Sequence, residues 1–124
     1  MLRRFENVLL VCAQACADVE SCLDGAGCSV TKVGDGRTAV RKVRQCSFDT
    51  AVLVSSGMEM DLLETALNLR DIEQSMEIIF VSNSADAAAD IPWEITTCIP
   101  YTAILNLNGL QALLRASGTK GKMG

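Results

Sequence analysis

The first apolar run of the chain is Asn7-Val-Leu-Leu-Val-Cys12, a short and almost continuous stretch of aliphatic side chains. Residues 14–26 then change to helical spacing, with apolar residues on one face, and Gly27 is placed to end this helix. A second run, Cys28 to Val33, is rich in valine and threonine. Apolar strands without polar alternation are typical of parallel sheets that are buried on both faces. These residues therefore predict two strands joined by a helix.

The same alternation continues along the chain. Further helices are predicted over Arg37 to Cys46, 61–74 and Thr102 to Arg115, and further strands over Asp49 to Val54, Glu77 to Ser82 and Glu94 to Ile99. A short alanine-rich segment, Asn83 to Asp90, separates the fourth and fifth strands. Five apolar strands with right-handed helical crossovers predict an α/β fold with a doubly wound, five-stranded parallel sheet. The flavodoxin-like strand order is 2-1-3-4-5, and it places the functional crevice at the carboxyl ends of the strands.

Length and composition indicate one globular domain. The chain has 124 residues, of which 49% are hydrophobic and 21% charged, and this composition excludes a disordered protein. No apolar run is long enough to cross a bilayer, and the N-terminal residues do not form a signal peptide. We expect a cytoplasmic domain over residues 1–116, followed by a flexible tail or the start of a linker over 117–124, where three glycines and two lysines occur.

Charge excludes several classes of function. The formal net charge is −4 and the chain has no histidine, so a general nucleic-acid surface, histidine-ligated metal sites and histidine phosphotransfer are not expected. No acid pair, nucleophile–base pair or glycine-rich phosphate loop is evident, which argues against an enzyme. Arg37, Arg41 and Arg44 share one helix face at i, i+4, i+7. Such a stripe is typical of a solvated face, and nucleic-acid binding is the alternative.

Six cysteines occur, and they are best interpreted as small buried hydrophobic residues of a cytosolic protein. A zinc site would show paired C-x2-C spacings, whereas the only close spacing is C-x3-C at Cys12 and Cys16. A thiol redox sensor built on Cys12 and Cys16 is the alternative, although no lysine or arginine is evident near Cys12 to lower its pKa.

In sequence order, several stretches resemble the receiver domains of two-component response regulators. They are Val8-Leu-Leu-Val11, the segment from Leu23 to Val40, Phe48-Asp-Thr-Ala-Val-Leu-Val54, Met58 to Glu64, and Ile99-Pro100. The resemblance runs from about Asn7 to Leu114. It implies the receiver fold and a role in signalling.

At the phosphorylation site this sequence departs from the family. The resemblance places the phosphoacceptor aspartate on Val54, and the two Mg²⁺-binding acids on Cys12 and Ala13. An isopropyl group has no lone pair to serve as nucleophile, and Mg²⁺ needs hard oxygen ligands. The sequence therefore predicts no catalytic residue, no Mg²⁺ or other metal, and no cofactor.

Two further pocket positions are also replaced. The phosphate-binding lysine of the family falls on Ile99, and its aromatic switch residue falls on Thr96. Only Ser82, at the hydroxyl switch position, keeps the family's residue type. The chain is therefore predicted to be a pseudo-receiver that acts independently of phosphorylation.

Receivers signal through the face formed by their fourth helix, fifth strand and fifth helix, so the resemblance implies a protein partner or a homodimer at that face. The interval between Ser82 and Ile99 is shorter than in most receivers, which predicts a shortened fourth helix. No membrane or direct nucleic-acid partner is expected. Candidate surface residues near this face are Asp86, Asp90, Trp93, Glu94 and Tyr101.

Overall fold

A computed structural model describes residues 5–12, 16–55, 62–82 and 101–116. These residues form five strands: β1 (Asn7–Val11), β2 (Ser29–Val33), β3 (Thr50–Ser55), β4 (Glu77–Ser82) and β5 (Ala103–Leu105). Within the same ranges lie the helices α1 (Ala17–Gly25), α2 (Gly36–Gln45), α3 (Leu62–Ile72) and α4 (Leu107–Ala116). None of these helices is both long and apolar enough to cross a membrane.

The five strands form one parallel sheet in the order β2-β1-β3-β4-β5, which confirms the predicted architecture. Val11 is the Cα partner of both Val33 and Leu53, and Ser55 is the partner of Ser82. Because the strands are parallel, their carboxyl ends meet along one side of the sheet, which we call the carboxyl edge. It comprises the residues that end these strands or directly follow them.

Helices cover both faces of the sheet, so the central strands are buried on both sides as their apolar runs predict. One face packs against α2 and α3 through a core that includes Leu9, Leu53 and Phe80. The other face packs against α1 and α4 through a core that includes Leu10 and Val54. Alternate residues of each strand enter opposite cores, because successive side chains of a strand point to opposite faces.

Two helix ends follow directly from sequence signals. Gly27, just after α1, has a φ of 88°, and this left-handed conformation is the one that glycine adopts readily. Asp35 caps the start of α2, because its Oδ1 accepts a 2.8 Å hydrogen bond from the Thr38 backbone N–H. This hydrogen bond, together with nearby arginines, lowers the pKa of Asp35. The predicted stop at Gly27 is confirmed.

The fifth strand differs from its prediction. The segment Glu94 to Ile99 lies outside the described residues, as do the alanine-rich segment and the tail 117–124. The strand that pairs with β4 is Ala103–Leu105, which the sequence analysis placed in the last helix. A three-residue strand is too short to show its own periodicity. Its Ile104 also continues the helical spacing of the leucines in α4, so the pattern concealed the boundary.

This correction changes two further expectations. Residues 83–102 separate β4 from β5. The prediction of a shortened fourth helix counted the residues between Ser82 and Ile99, and Ile99 is not in β5. Asn83 to Asp90, the segment in which the sequence allows a short fourth helix, lies outside the described residues. The residue directly after β5 is Asn106, so the end of this strand is not at Ile99.

Substitution of Gly36 tests the close approach of α2 to α3. A Cβ atom at Gly36 would overlap the Thr65 Oγ1 atom and lie 3.3 Å from the Thr65 Cβ atom. Gly36→Ala is therefore expected to cost about 1–3 kcal/mol of unfolding free energy, as overpacking does. Chemical denaturation measures this cost. Gly25→Ala is the control, because a Cβ there meets nothing within 4 Å; equal stability of the two variants would contradict the packing.

Candidate functional site

On the side that faces α1 and α4, the carboxyl edge of the sheet is apolar at β1 and β3. Val54 and Cys12 are each 2% exposed, and both belong to the core on the α1 and α4 side. Val54 is the Cα partner of Val81, which lies in the same core. The Cys12 backbone N–H donates a 3.0 Å hydrogen bond to the Val33 carbonyl oxygen. This part of the edge is packed and closed to water.

Two hydroxyl groups lie at the ends of β3 and β4. Ser55 and Ser82 are Cα partners at the carboxyl ends of β3 and β4. Ser82 is fully buried, whereas Ser55 is half-buried. Paired residues of parallel strands share a face, so both serines lie on the side opposite Val54. The structure thus brings Ser82 to the predicted edge but separates it from the Val54 core.

Asn106 follows β5 and was missed by the sequence analysis. Its Oδ1 accepts a 2.9 Å hydrogen bond from the Gly109 backbone N–H, and its carbonyl oxygen accepts one from the Leu110 N–H. These contacts make Asn106 the N-cap of α4. The signal was present in the sequence, since asparagine is a preferred N-cap residue three positions before Gly109. At this corner of the edge the side chain is a neutral amide engaged in capping.

The structure brings Cys12 and Cys16 together. Burial, and next the hydrogen bond between the two thiols, raise the pKa of Cys16 to about 12. Lys32 acts in the opposite direction, but it also lies 3.9 Å from the Glu20 Oε1 atom. Burial likewise raises the pKa of Cys28 to about 11. Both environments favour the protonated thiol, which is the unreactive form.

Thiol reactivity follows from these pKa values. A pKa of about 12 instead of 9.0 leaves on the order of a thousandfold less thiolate at pH 8. In a Cys98→Ser chain, we expect the exposed Cys46 to react first with a disulfide reagent, and Cys16 and Cys28 to react only as the protein unfolds. Reagent consumption over time measures this difference. A fast phase that survives Cys46→Ser, or a Cys12–Cys16 link after mild oxidation, would contradict it.

Several predicted site residues lie outside the described residues: Ala13, Asp86, Asp90, Trp93, Glu94, Thr96 and Ile99. Tyr101 is described and 39% exposed, with its ring edge-on to Phe80 at a centroid distance of 6.1 Å. Its assignment to an interaction surface stays a prediction. Within the described ranges, no group of three or more acidic or cysteine side chains is arranged to hold a metal ion.

No protein-family model and no curated protein matches the chain. Solved structures do match it. The chemotaxis response regulator CheY4 of Vibrio cholerae superposes with a TM-score of 0.71 at 19% identity, covering 91% of this chain and 98% of that chain. The N-terminal domain of a response regulator/sensory box/GGDEF 3-domain protein from Carboxydothermus hydrogenoformans gives 0.69 at 18% identity, covering 90% and 93%.

A third match is a response regulator receiver protein from Sinorhizobium medicae WSM419. Its TM-score is 0.65 at 23% identity, and the alignment covers 91% of this chain and 97% of that chain. All three neighbours are described as response regulators or parts of them. At these identities the likeness establishes the fold, which is the fold of receiver domains.

Proposed function

We propose that this chain is a pseudo-receiver: a signalling module of two-component type that acts without phosphorylation, through contacts with other proteins. The observation that carries the proposal is Val54. It lies one residue before the end of β3, is 2% exposed and packs in an apolar core with Cys12. The receiver resemblance expects an aspartate at this position and an acid at Cys12.

The chemistry of phosphoryl transfer supports this interpretation. The acceptor must supply an oxygen lone pair, and cations must balance the charge on the phosphoryl group. Val54 supplies no lone pair, and the residue after β5 is the neutral Asn106, engaged in capping α4. An apolar core at Val54 also avoids the cost of burying unpaired carboxylates, which amounts to several kcal/mol per ion. The packed edge therefore favours one fixed state over a switch.

The described part of the proposed interaction face is β5 and α4. Helix α4 follows β5 and so takes the place of the fifth helix of a receiver. β5 is an edge strand of the sheet, and its three residues are half-buried. Tyr101, just before β5, is exposed and rests against Phe80. Aromatic side chains are common anchors of protein interfaces. The occupant proposed for this face is a partner protein or a second copy of the chain, in the cytoplasm.

The thiol sensor remains the weaker alternative. The hydrogen bond between Cys12 and Cys16 gives it the proximity that it needs. The raised pKa of Cys16 opposes it, because the thiolate is the species that reacts with oxidants. The balance of these two effects favours the interaction module.

Amide NMR with Mg²⁺ and beryllofluoride, the phosphoryl mimic, tests independence from phosphorylation. We expect no saturable shift at Val54, Ser82 or Asn106, because the described residues of the edge include neither an acceptor carboxylate nor a lysine after β5. Titrations with Mg²⁺ alone and with fluoride alone are the controls for salt effects. Saturable shifts at these three residues would overturn the proposal.

A dilution series of the same labelled protein tests self-association. If the partner is a second copy, line widths are expected to fall on dilution mainly in β5, α4 and Tyr101. Tyr101→Asp should then abolish the dependence on concentration, since it places a charge in the contact. Line widths that do not change on dilution would exclude the homodimer and leave a different protein as the partner.

A further inference from the structure

A groove of about 760 Å³ lies between α2 and α3, away from β5 and α4. This volume is within the range of sites that hold small ligands. The two helices approach each other closely where Gly36 faces Thr65, a residue that is 4% exposed. Residues of both helices line it: Asp35, Gly36, Arg37, Val40, Arg41, Arg44, Gln45, Glu64, Thr65 and Asn68.

The positive charge of the chain is concentrated beside this groove. Helix α2 carries three arginines and Lys42 within ten residues and has no acid, although the net charge of the chain is −4. All three arginines line the groove, whereas Lys42 does not. At 1.5 Å of rise per residue, the row from Arg37 to Arg44 spans about 10 Å. The arginines are exposed, so they remain hydrated and accessible.

The acids of the groove lie at one end. Asp35 is the N-cap of α2, and Glu64 is in the first turn of α3. Asp35 accepts the Thr38 N–H, which occupies one of its oxygens. Further along the groove, Arg41 and Arg44 lie with the neutral amides of Gln45 and Asn68. An anion is therefore favoured at the Arg41 and Arg44 end, and hydroxyl or amino groups are favoured at the acidic end.

We propose that the groove between α2 and α3 binds a small ligand that carries two or more phosphate groups. Guanidinium groups bind phosphate through paired, charge-assisted hydrogen bonds. A compact polyphosphate concentrates negative charge within the length of the arginine row. Val40 provides an apolar contact for the remainder of such a ligand.

Two observations favour a small ligand over a nucleic acid. The basic residues of the groove are confined to one helix, and residues 47–115 contain ten acids and two bases. Among the described residues, the facing helix α3 adds Glu64 and Asp71 and a single base, Arg70, so a long phosphate backbone would gain no further row of cations on that side. This inference is independent of the proposed function, because it uses neither the Val54 core nor the β5 and α4 face.

Titration of the full chain with inorganic tripolyphosphate, followed by amide NMR, tests the proposal. We expect saturable shifts in α2 and α3, centred on Arg41, Arg44 and Asn68. Arg41→Gln with Arg44→Gln should weaken binding at least about tenfold, because two bidentate partners are lost. Lys42→Gln is the matched control: it removes the same charge from the same helix outside the groove, and binding should weaken less than about twofold.

Four results would overturn the proposal. The first is the absence of saturable shifts, and the second is an equal loss of affinity for tripolyphosphate in Lys42→Gln and in the single groove variant Arg41→Gln. The third is binding of citrate as tight as that of tripolyphosphate. The fourth is binding of a single-stranded oligonucleotide that is tighter than that of tripolyphosphate. The last result would assign the arginine row to nucleic acid. Since the substituted arginines are exposed, the variants should keep the wild-type spectrum outside α2 and α3, which verifies that they fold.

Discussion

Replacing Val54 with aspartate is expected to lower the unfolding free energy by about 3 kcal/mol or more. Val54 is 2% exposed and packs among aliphatic and thiol side chains, so a carboxylate there would lose its hydration without gaining a cation. The same substitution would introduce the residue type that a phosphoacceptor needs. We expect loss of stability and no response to beryllofluoride, because Cys12 and Asn106 still supply neither an acid nor a lysine.

The pH dependence of this variant gives a second readout. Burial disfavours the charged carboxylate, so the pKa of the new carboxyl in the folded state should lie above its unfolded value of about 3.9. The loss of stability is then smallest below pH 4 and grows as the pH rises through the folded-state pKa. Urea denaturation of Val54→Asp and wild type at several pH values measures this trend.

Val54→Thr is the matched control for Val54→Asp. It keeps the shape of valine and replaces one methyl group with a neutral hydroxyl, so its cost should be smaller than that of a carboxylate and independent of pH over this range. Unchanged stability of Val54→Asp at pH 7, or a saturable response of this variant to beryllofluoride with Mg²⁺, would show that the edge is open and polar.

Replacing Phe80 with alanine is expected to cost about 3–5 kcal/mol. Phe80 is fully buried in β4, and its Cα partners are Leu53 of β3 and Ile104 of β5. Loss of its ring leaves a cavity in the α2 and α3 core and removes the edge-on contact with Tyr101. Chemical denaturation gives the free energy, with the slope against denaturant showing whether the transition stays two-state.

Two controls separate the cavity from the ring contact. Tyr101→Ala removes the ring contact by truncating the exposed partner of the aromatic pair. Its cost in unfolding free energy should be about 0.5–1.5 kcal/mol beyond that of the buried area lost with the tyrosine ring. Leu67→Ala removes an exposed side chain of α3, which is 45% accessible, and should change stability by less than about 0.5 kcal/mol. If Phe80→Ala costs no more than Leu67→Ala, β4 is not at the centre of the core.

The strands that were predicted best from the sequence are those that are buried along most of their length, because they consist almost entirely of apolar residues. β4 begins at Glu77 and ends at Ser82 as predicted, because polar residues bound a continuous apolar run. β5 was misplaced, because Ala103–Leu105 is a run of three apolar residues just before the amphipathic helix α4. Its Ile104 fits the apolar spacing of that helix. Its identity as a strand depends on pairing with Ile79, Phe80 and Val81, which are distant in sequence.

The residues of the candidate site were likewise only partly predictable from the sequence. The proposal that Val54 stands at the acceptor position of a receiver came from the sequence, by counting back from Met60-Asp61 in the stretch that resembles the family. The capping role of Asn106 could not be assigned to the site until β5 was placed. The contact between the Cys12 and Cys16 thiols required the placement of Cys16 at the N-cap of α1 beside the residue that follows β1, although their spacing suggested it.

The α/β class and the parallel sheet followed from the sequence patterns themselves. These features depend on local composition and on the burial of whole apolar runs. The interpretation of Val54 as a replaced acceptor position rests on the resemblance to receiver domains and remains a proposal. Tertiary structure alone decided where β5 pairs, which face Ser82 shares with Ser55, and that the Arg37, Arg41 and Arg44 row lines a groove against α3. Helical spacing places three side chains on one face, but only the packing of a second helix determines whether that face is an open surface or one wall of a groove.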